Sequence, residues 1–219
     1  MFTQNISFKN FLIKEKKLTV KKNLNLILKE KNQVISSLSK SYKDSFSKKN
    51  IKHFNKKFDY RIIGMGGSTL GAQAIYDFLK KKIKKNFLFF DNLQTNLKVN
   101  DKKKFTNLII SKSGNTVETI VNANILIKKK DQNIFITEKK NSYLHILANK
   151  LKAEIIHHNN YIGGRYSVLS EVGMVPSELM GLNSSKFKQL NNLIKNKKFM
   201  NNLVLNVESI LYFSKKKKI

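Results

Sequence analysis

From Tyr60 onward the chain alternates between short apolar runs and stretches of helical period. Tyr60-Arg61-Ile62-Ile63, Phe87-Leu88-Phe89-Phe90, Leu108-Ile109-Ile110, Ile134-Phe135-Ile136-Thr137 and Glu154-Ile155-Ile156-His157 have the length and side-chain type of buried strands. Between the first two, Leu70, Ala74, Ile75, Phe78, Leu79 and Ile83 fall on one face of a helix. Further helices are expected over about 116–129 and 142–151, with a polar loop around Asn92–Lys104. Strands alternating with helices of this length predict a parallel sheet covered on both faces, an α/β fold.

The first 58 residues read differently. Val20, Leu24, Ile27, Leu28, Lys31, Val34, Ile35 and Leu38 keep a helical period, one apolar stripe on an otherwise charged helix. Lys48 to Lys57 reads as a polar connector with His53 exposed. The chain's last stretch is helical again, with Leu203, Val204, Val207, Ile210 and Leu211 in period before a run of lysines. The expected organisation is a helical segment over 1–58, an α/β domain over 59–182 and C-terminal helices over 183–219. No internal repeat is visible, and the single proline, Pro176, marks no linker.

At 219 residues and 41% hydrophobic content the chain can bury one good core. It has no cysteine, which excludes disulfides and thiol-based metal or redox chemistry. No secretory leader and no membrane-length apolar run is read from the sequence, so the cytoplasm is the expected compartment and no membrane partner is expected. The net charge of +29 invites nucleic acid as a partner. Against that, the basic residues are spread over nearly every segment, and only Arg61 and Arg165 are arginine. Readers of base edges rely on arginine's planar fork. Nucleic-acid binding therefore stays a third reading, and a positive field also steers small anions.

The candidate chemistry sits where strands end. Ser111-Lys112-Ser113-Gly114-Asn115-Thr116 lies between the Leu108-Ile109-Ile110 strand and a helix. Hydroxyls, a lysine and a turn glycine at a helix N-terminus make a receptor for phosphate. Asn115 with Glu118 also has the spacing of a capping box. Gly64-Met65-Gly66-Gly67-Ser68-Thr69 follows the first strand and starts like a dinucleotide fingerprint, with Asp91 where a ribose-binding acid belongs. Thr69 stands at its third glycine position, however, so that reading is secondary. If both loops serve one ligand, strands one and three must be neighbours, which selects the order 2-1-3-4-5. His157-His158 is a bare pair with no metal-ligand spacing. The third stretch is Gly163-Gly164-Arg165-Tyr166-Ser167-Val168-Leu169-Ser170, in which two glycines let the backbone approach closely and Arg165 presents a fixed charged fork.

In this order the three stretches resemble the phosphoglucose isomerase family over roughly residues 60–181. In chain order, the stretch Gly64–Thr69 is similar to its glycine-serine loop, Ser111–Thr116 to the phosphate loop it shares with sugar-isomerase (SIS) domains, and Gly163–Ser170 to its arginine signature. The resemblance implies a three-layer α/β/α SIS-type domain and interconversion of glucose 6-phosphate and fructose 6-phosphate through an enediolate, a step of glycolysis and gluconeogenesis. It implies no metal and no organic cofactor, a sugar-phosphate substrate and a homodimer in the full-length form. By the match, Ser111, Lys112, Ser113 and Thr116 hold the phosphate, and Gly67 and Ser68 face the sugar. Arg165 stabilises the enediolate, and Glu118 partners the ring-opening histidine. The family's base, histidine and late lysine lie beyond the arginine signature and find no match here. Glu171 stands where relatives carry a small or apolar residue and is not taken as the base. The chain is thus expected to be an N-terminal, incomplete copy lacking the base. A non-catalytic sugar-phosphate-binding module is the alternative.

Overall fold

The computed structural model describes residues 18–30, 32–39, 41–54, 58–93, 103–188 and 190–217. The chain divides into two compact units, one formed by Met1–Ser41 with Lys188–Ile219 and the other by Tyr42–Phe187. In the first unit the expected single lead-in helix is broken. Helix α1 (Leu18–Lys29) ends, and a separate short helix α2 (Gln33–Ser37) starts behind Asn32, whose side chain accepts from Val34 N. Asparagine competes well as an N-cap, so an apolar period that crosses Asn32 does not guarantee one helix. Lys31, part of that stripe, lies outside the described residues.

The second unit holds the α/β core. It contains helix α3 (Lys48–Lys52), strand β1 (Asp59–Gly64), helix α4 (Leu70–Leu79) and strand β2 (Phe87–Phe90). Strand β3 (Phe105–Ile110), helix α5 (Val117–Leu126), strand β4 (Gln132–Thr137), helix α6 (Tyr143–Lys150), strand β5 (Glu154–His157) and helix α7 (Glu171–Leu179) complete it. All pairings are parallel and the strand order is β2-β1-β3-β4-β5. The sheet therefore has the order expected from the two loops.

The period-two alternation of each strand sorts its side chains into two cores. Tyr60, Ile62, Leu108, Ile110, Ile134 and Ile136 pack with Ala72, Tyr76, Val172, Val175 and Leu179 on one face. Ile63, Ile109 and Phe135 pack with Ala123, Leu126, Leu144 and Ala148 on the other. Helices α4 and α7 thus cover one side and α5 and α6 the other, giving the three-layer α/β/α architecture.

Several local expectations need correction. The Lys48–Lys57 stretch is not merely a polar connector: α3 forms there, and Ile51 and Phe54 enter the core at 2% and 7% exposure. Residues 55–57, like most of the Asn92–Lys104 loop, lie outside the described residues. Strand β2 is an edge strand with Leu88 partly exposed, not a fully buried one. Helix α5 stops at Leu126, with Asp131 accepting from Lys128 N in the following turn. Helix α4 buries Ala72 and Tyr76 and leaves Leu70 and Phe78 exposed at 57% and 88%. Its sequence is apolar nearly all round, so periodicity alone does not choose the face. Close packing chooses it: a Cβ on Gly71 would lie 2.7 Å from Val168 Cγ2, and Tyr76 meets Phe87 and Phe89.

Beyond Phe187 the first unit resumes with helix α8 (Leu190–Ile194) and helix α9 (Lys197–Lys217). Helix α9 forms over the expected C-terminal helical stretch, with Leu203, Val207, Ile210 and Leu211 of its apolar stripe exposed, and packs with α1 and α8. Among the described residues no helix is long and apolar enough to cross a membrane.

Candidate functional site

The register of the central strand pair brings the first two loops side by side. Gly64 at the end of β1 is the Cα partner of Ile110 at the end of β3. The two backbones are so close that a Cβ on Gly64 would sit 2.8 Å from Ile110 O. The loops 65–69 and 111–116 therefore leave adjacent strands at the carboxyl edge, at the point where the strand order reverses. This is where ligands bind in open parallel sheets.

The Ser111–Thr116 loop is held from three sides. Ser111 N donates to Ile136 O at 3.1 Å, Glu138 N to Lys112 O at 3.1 Å, and Leu144 N to Gly114 O at 3.0 Å. Inside the loop, the Ser111 and Thr116 hydroxyls lie 2.9 Å apart and Gly114 N donates to Ser111 Oγ. Gly114 has φ +68°, the left-handed region where glycine is strongly favoured. Thr116 is the N-cap of α5 and makes no side-chain cap bond, so the first-turn N–H groups stay available at the floor of the loop. The capping box does not form. Asn115 Oδ1 instead accepts from Tyr143 N at 2.9 Å, fastening the loop to the start of α6. Glu118 is half-buried in the first turn of α5. Lys112 reaches across to Glu138, Nζ to Oε1 3.5 Å.

The third stretch meets the first. A Cβ on Gly67 would overlap Gly164 O and lie 2.5 Å from Gly164 C. Ser167 Oγ bridges the two segments, donating toward Gly164 O at 2.8 Å and Gly67 O at 3.2 Å. Arg165 follows directly on this contact, exposed, in the 3-10 turn Gly164–Leu169. Gly67, Ser68 and Arg165 are thus brought to one place, and Ser111, Lys112, Ser113 and Thr116 to the neighbouring strand end. Among the described residues, no hydrogen bond joins the 111–116 loop to the 163–170 segment. They are linked through the β1–β3 edge. The other arginine plays a different part: Arg61 is 3% exposed, donates to Leu126 O at 2.8 Å and lies 3.5 Å over the Phe105 ring.

A cavity of about 840 Å³ opens beside this edge, lined by Leu70, Phe78, Gly67, Gly164, Arg165 and Phe187 among others. Its walls are mostly apolar and include no residue of the 111–116 loop, so it flanks that loop rather than including it.

The carboxylates nearest the arginine segment are already committed. Glu171 is fully buried at the start of α7 and accepts from Tyr42 Oη at 3.0 Å and Ser45 N at 2.9 Å. Its second oxygen lies 3.4 Å from Nδ1 of His158, itself 4% exposed. Burial alone would raise the Glu171 carboxyl. The nearby His158 ring, the backbone N–H groups and the bond from Tyr42 hold it below the ordinary 4.5. Glu178 is likewise opposed by burial but held below 4.5 by Lys48, at 2.8 Å, and by Ser184. Burial and the Glu171 charge push the Tyr42 phenol up, so it remains a donor. Sequence reasoning left this cluster unfound. Its one signal was a carboxylate opening the otherwise apolar stretch Val172-Gly173-Met174-Val175-Pro176.

A carboxylate whose folded value lies below its unfolded one adds stability above the unfolded value and loses it as pH falls through the folded one. The melting temperature is therefore expected to be nearly flat from pH 7 to about 5.5 and to fall steadily below about 4.5. Circular dichroism melts at stepped pH check this. An unchanged melting temperature down to about pH 3 contradicts it.

The family model for phosphoglucose isomerase matches residues 19–208. Glucose-6-phosphate isomerase of Methanocaldococcus jannaschii is 34% identical over 203 residues, covering 83% of this chain and 48% of the relative. That of Borrelia garinii subsp. bavariensis is 33% identical over 195 residues, covering 73% and 36%. The chain thus spans about half, or less, of the length of these curated relatives. Among solved structures, a hypothetical protein of Thermus thermophilus superposes with a TM-score of 0.68 at 19% identity, over 90% of this chain and 52% of that one. Tagatose-6-phosphate ketose/aldose isomerase of Escherichia coli superposes with 0.52 at 17% identity, over 67% and 44%. At these identities the superpositions show a common fold. With the family model spanning most of its length, this chain belongs to the phosphoglucose isomerase family.

Proposed function

We propose that the chain binds a sugar phosphate across the β1–β3 edge and supplies the phosphate cradle and the arginine of an aldose–ketose isomerase acting on glucose 6-phosphate and fructose 6-phosphate. The observation that carries this reading is the backbone contact of Gly67 with Gly164. It joins the glycine-serine loop to the arginine segment beside the hydroxyl-rich strand end.

In this reading the hydroxyls of Ser111, Ser113 and Thr116 and the first-turn N–H groups of α5 receive the phosphate dianion, with Lys112 as a nearby charge. Gly67 and Ser68 line the sugar side. Anchoring the dianion away from the reacting carbons lets remote binding energy orient C1 and C2. Moving a proton between those carbons passes through an enediolate, whose negative charge the Arg165 guanidinium stabilises. Glu118 is assigned to orient a ring-opening imidazole, for which this sequence offers no match. The proton-transfer base is assigned to neither Glu171 nor Glu178, because Tyr42, Ser45 and His158 occupy the first, and Lys48 and Ser184 the second. That same occupation favours the second reading, a sugar-phosphate-binding module without turnover.

Isothermal titration of the purified chain with fructose 6-phosphate tests the binding claim, with an isomerase assay on the same sample. Saturable binding displaced by inorganic phosphate is expected. No saturable heat with either compound overturns the reading, and turnover by the chain alone overturns the assignment of the base.

A further inference from the structure

Residues 159–170, which carry Arg165, run between two buried side chains that meet. His158 leaves the end of β5 and Glu171 opens α7, and their side chains lie 3.4 Å apart, Nδ1 to Oε2. Both atoms are buried, and neither makes a hydrogen bond of good geometry to any partner, so each is left facing the other. The other ring nitrogen, Nε2, faces Ile162 O at 3.1 Å within the same segment. Both ring nitrogens therefore face groups that only accept. The arrangement is satisfied when a proton sits between Nδ1 and Oε2 in addition to the one on Nε2.

The other carboxylate oxygen is filled from a separate part of the chain. Tyr42 Oη and Ser45 N both donate to Oε1, and Tyr42 Oη in turn accepts from Asn159 Nδ2 at 2.5 Å. Ser45 Oγ also donates to His157 O. Three chain segments are thus tied at one buried carboxylate. A charge placed in a wholly buried helix opening carries a desolvation cost that a small apolar residue there would avoid. What the charge provides is a clasp across the two ends of the arginine-bearing segment.

We propose that Glu171 is a positioning residue: through His158 it closes the 159–170 segment on itself and so fixes where the Arg165 guanidinium sits. The inference rests on the reading of Arg165 given above. It makes no contact with substrate a requirement for Glu171, which has no exposed surface.

The test compares two probes on the purified chain. One is 5-phosphoarabinonate, a sugar-acid phosphate whose carboxylate imitates the enediolate and calls on Arg165. The other is inorganic phosphate, which calls only on the 111–116 cradle. Glu171→Ala is expected to weaken the first by about tenfold or more and the second by less than about twofold, because misplacement of one positioned group falls on the interaction it makes. Glu171→Gln, which keeps the length and the bond from Tyr42, is expected to recover affinity for 5-phosphoarabinonate to within about threefold of the parent. Equal loss of both probes, or no loss of either, overturns the proposal. If Glu171→Ala does not melt cooperatively, two other measurements decide. Tyr42→Phe, which removes one donor and leaves no buried charge unpaired, should weaken 5-phosphoarabinonate alone. In the parent chain, the 15N-histidine spectrum should show a proton on Nδ1 of His158, and a bare Nδ1 overturns the clasp. If the parent binds neither probe, the sugar-phosphate reading fails, while the His158 spectrum still judges the clasp.

Discussion

Gly114→Ala is expected to lower the melting temperature by about 4–12 °C and to abolish measurable phosphate binding. Two independent penalties meet at this residue. Alanine resists the left-handed conformation that φ +68° demands, at about 1–2 kcal/mol. The new methyl group would also overlap Ser142 Oγ and lie 2.7 Å from Ser142 Cβ and 2.9 Å from Thr137 Oγ1. Relief requires Ser142 to move, and Ser142 is the N-cap of α6, its Oγ accepting from His145 N. Losing a cap costs about 1 kcal/mol more, for a total of about 2–3 kcal/mol. The same movement pulls away the start of α6, onto which Gly114 O and Asn115 Oδ1 fasten the loop. Thermal melts and phosphate titration of the variant check both halves. A variant within about 2 °C of the parent that still binds phosphate contradicts this account of the loop.

Gly67→Ala should separate the two halves of the site without unfolding the sheet. Its methyl group would land on Gly164 O, with Gly164 C at 2.5 Å and Gly164 Cα at 2.6 Å. All three are backbone atoms, which cannot rotate aside, so the segments must part by roughly 1 Å to regain contact distance. The Ser167 bridge to Gly67 O, already 3.2 Å, is then broken. Arg165 moves with its segment. Affinity for fructose 6-phosphate is expected to fall by about 10- to 100-fold while inorganic phosphate loses less than about threefold, since the 111–116 cradle is anchored on β4 and α6. Titration of both compounds against the variant measures the split. Equal loss of the two would mean that the arginine segment is not part of the sugar's surroundings.

The core architecture could be read from the chain because local chemistry and topology agreed. The Glu154–His157 and Phe87–Phe90 strands have the bounds their apolar runs predict. The strand order followed from requiring two loops on one edge, and the Gly64–Ile110 register meets that requirement. What escaped was set by packing across long sequence distances. Helix α4 is apolar nearly all round, so the facing of Ala72 and Tyr76 inward depends on Val168 and Phe87, residues no period can reveal. The spacing of Asn115 and Glu118 fitted a capping box, yet Tyr143 N competes for the Asn115 oxygen from the next helix. The Tyr42–Glu171–His158 cluster joins residues from three separate stretches, and only a buried fold brings them together.

The central claim is that one sugar phosphate spans the β1–β3 edge, its phosphate in the 111–116 loop and its C1–C2 end beside Arg165. A crystal structure of the chain with fructose 6-phosphate tests this most directly. The account predicts phosphate oxygens on the hydroxyls of Ser111, Ser113 and Thr116 and the Arg165 guanidinium hydrogen-bonded to an oxygen on C1 or C2. Phosphate bound elsewhere, or Arg165 turned into the apolar cavity along α4 with the sugar out of its reach, would contradict it.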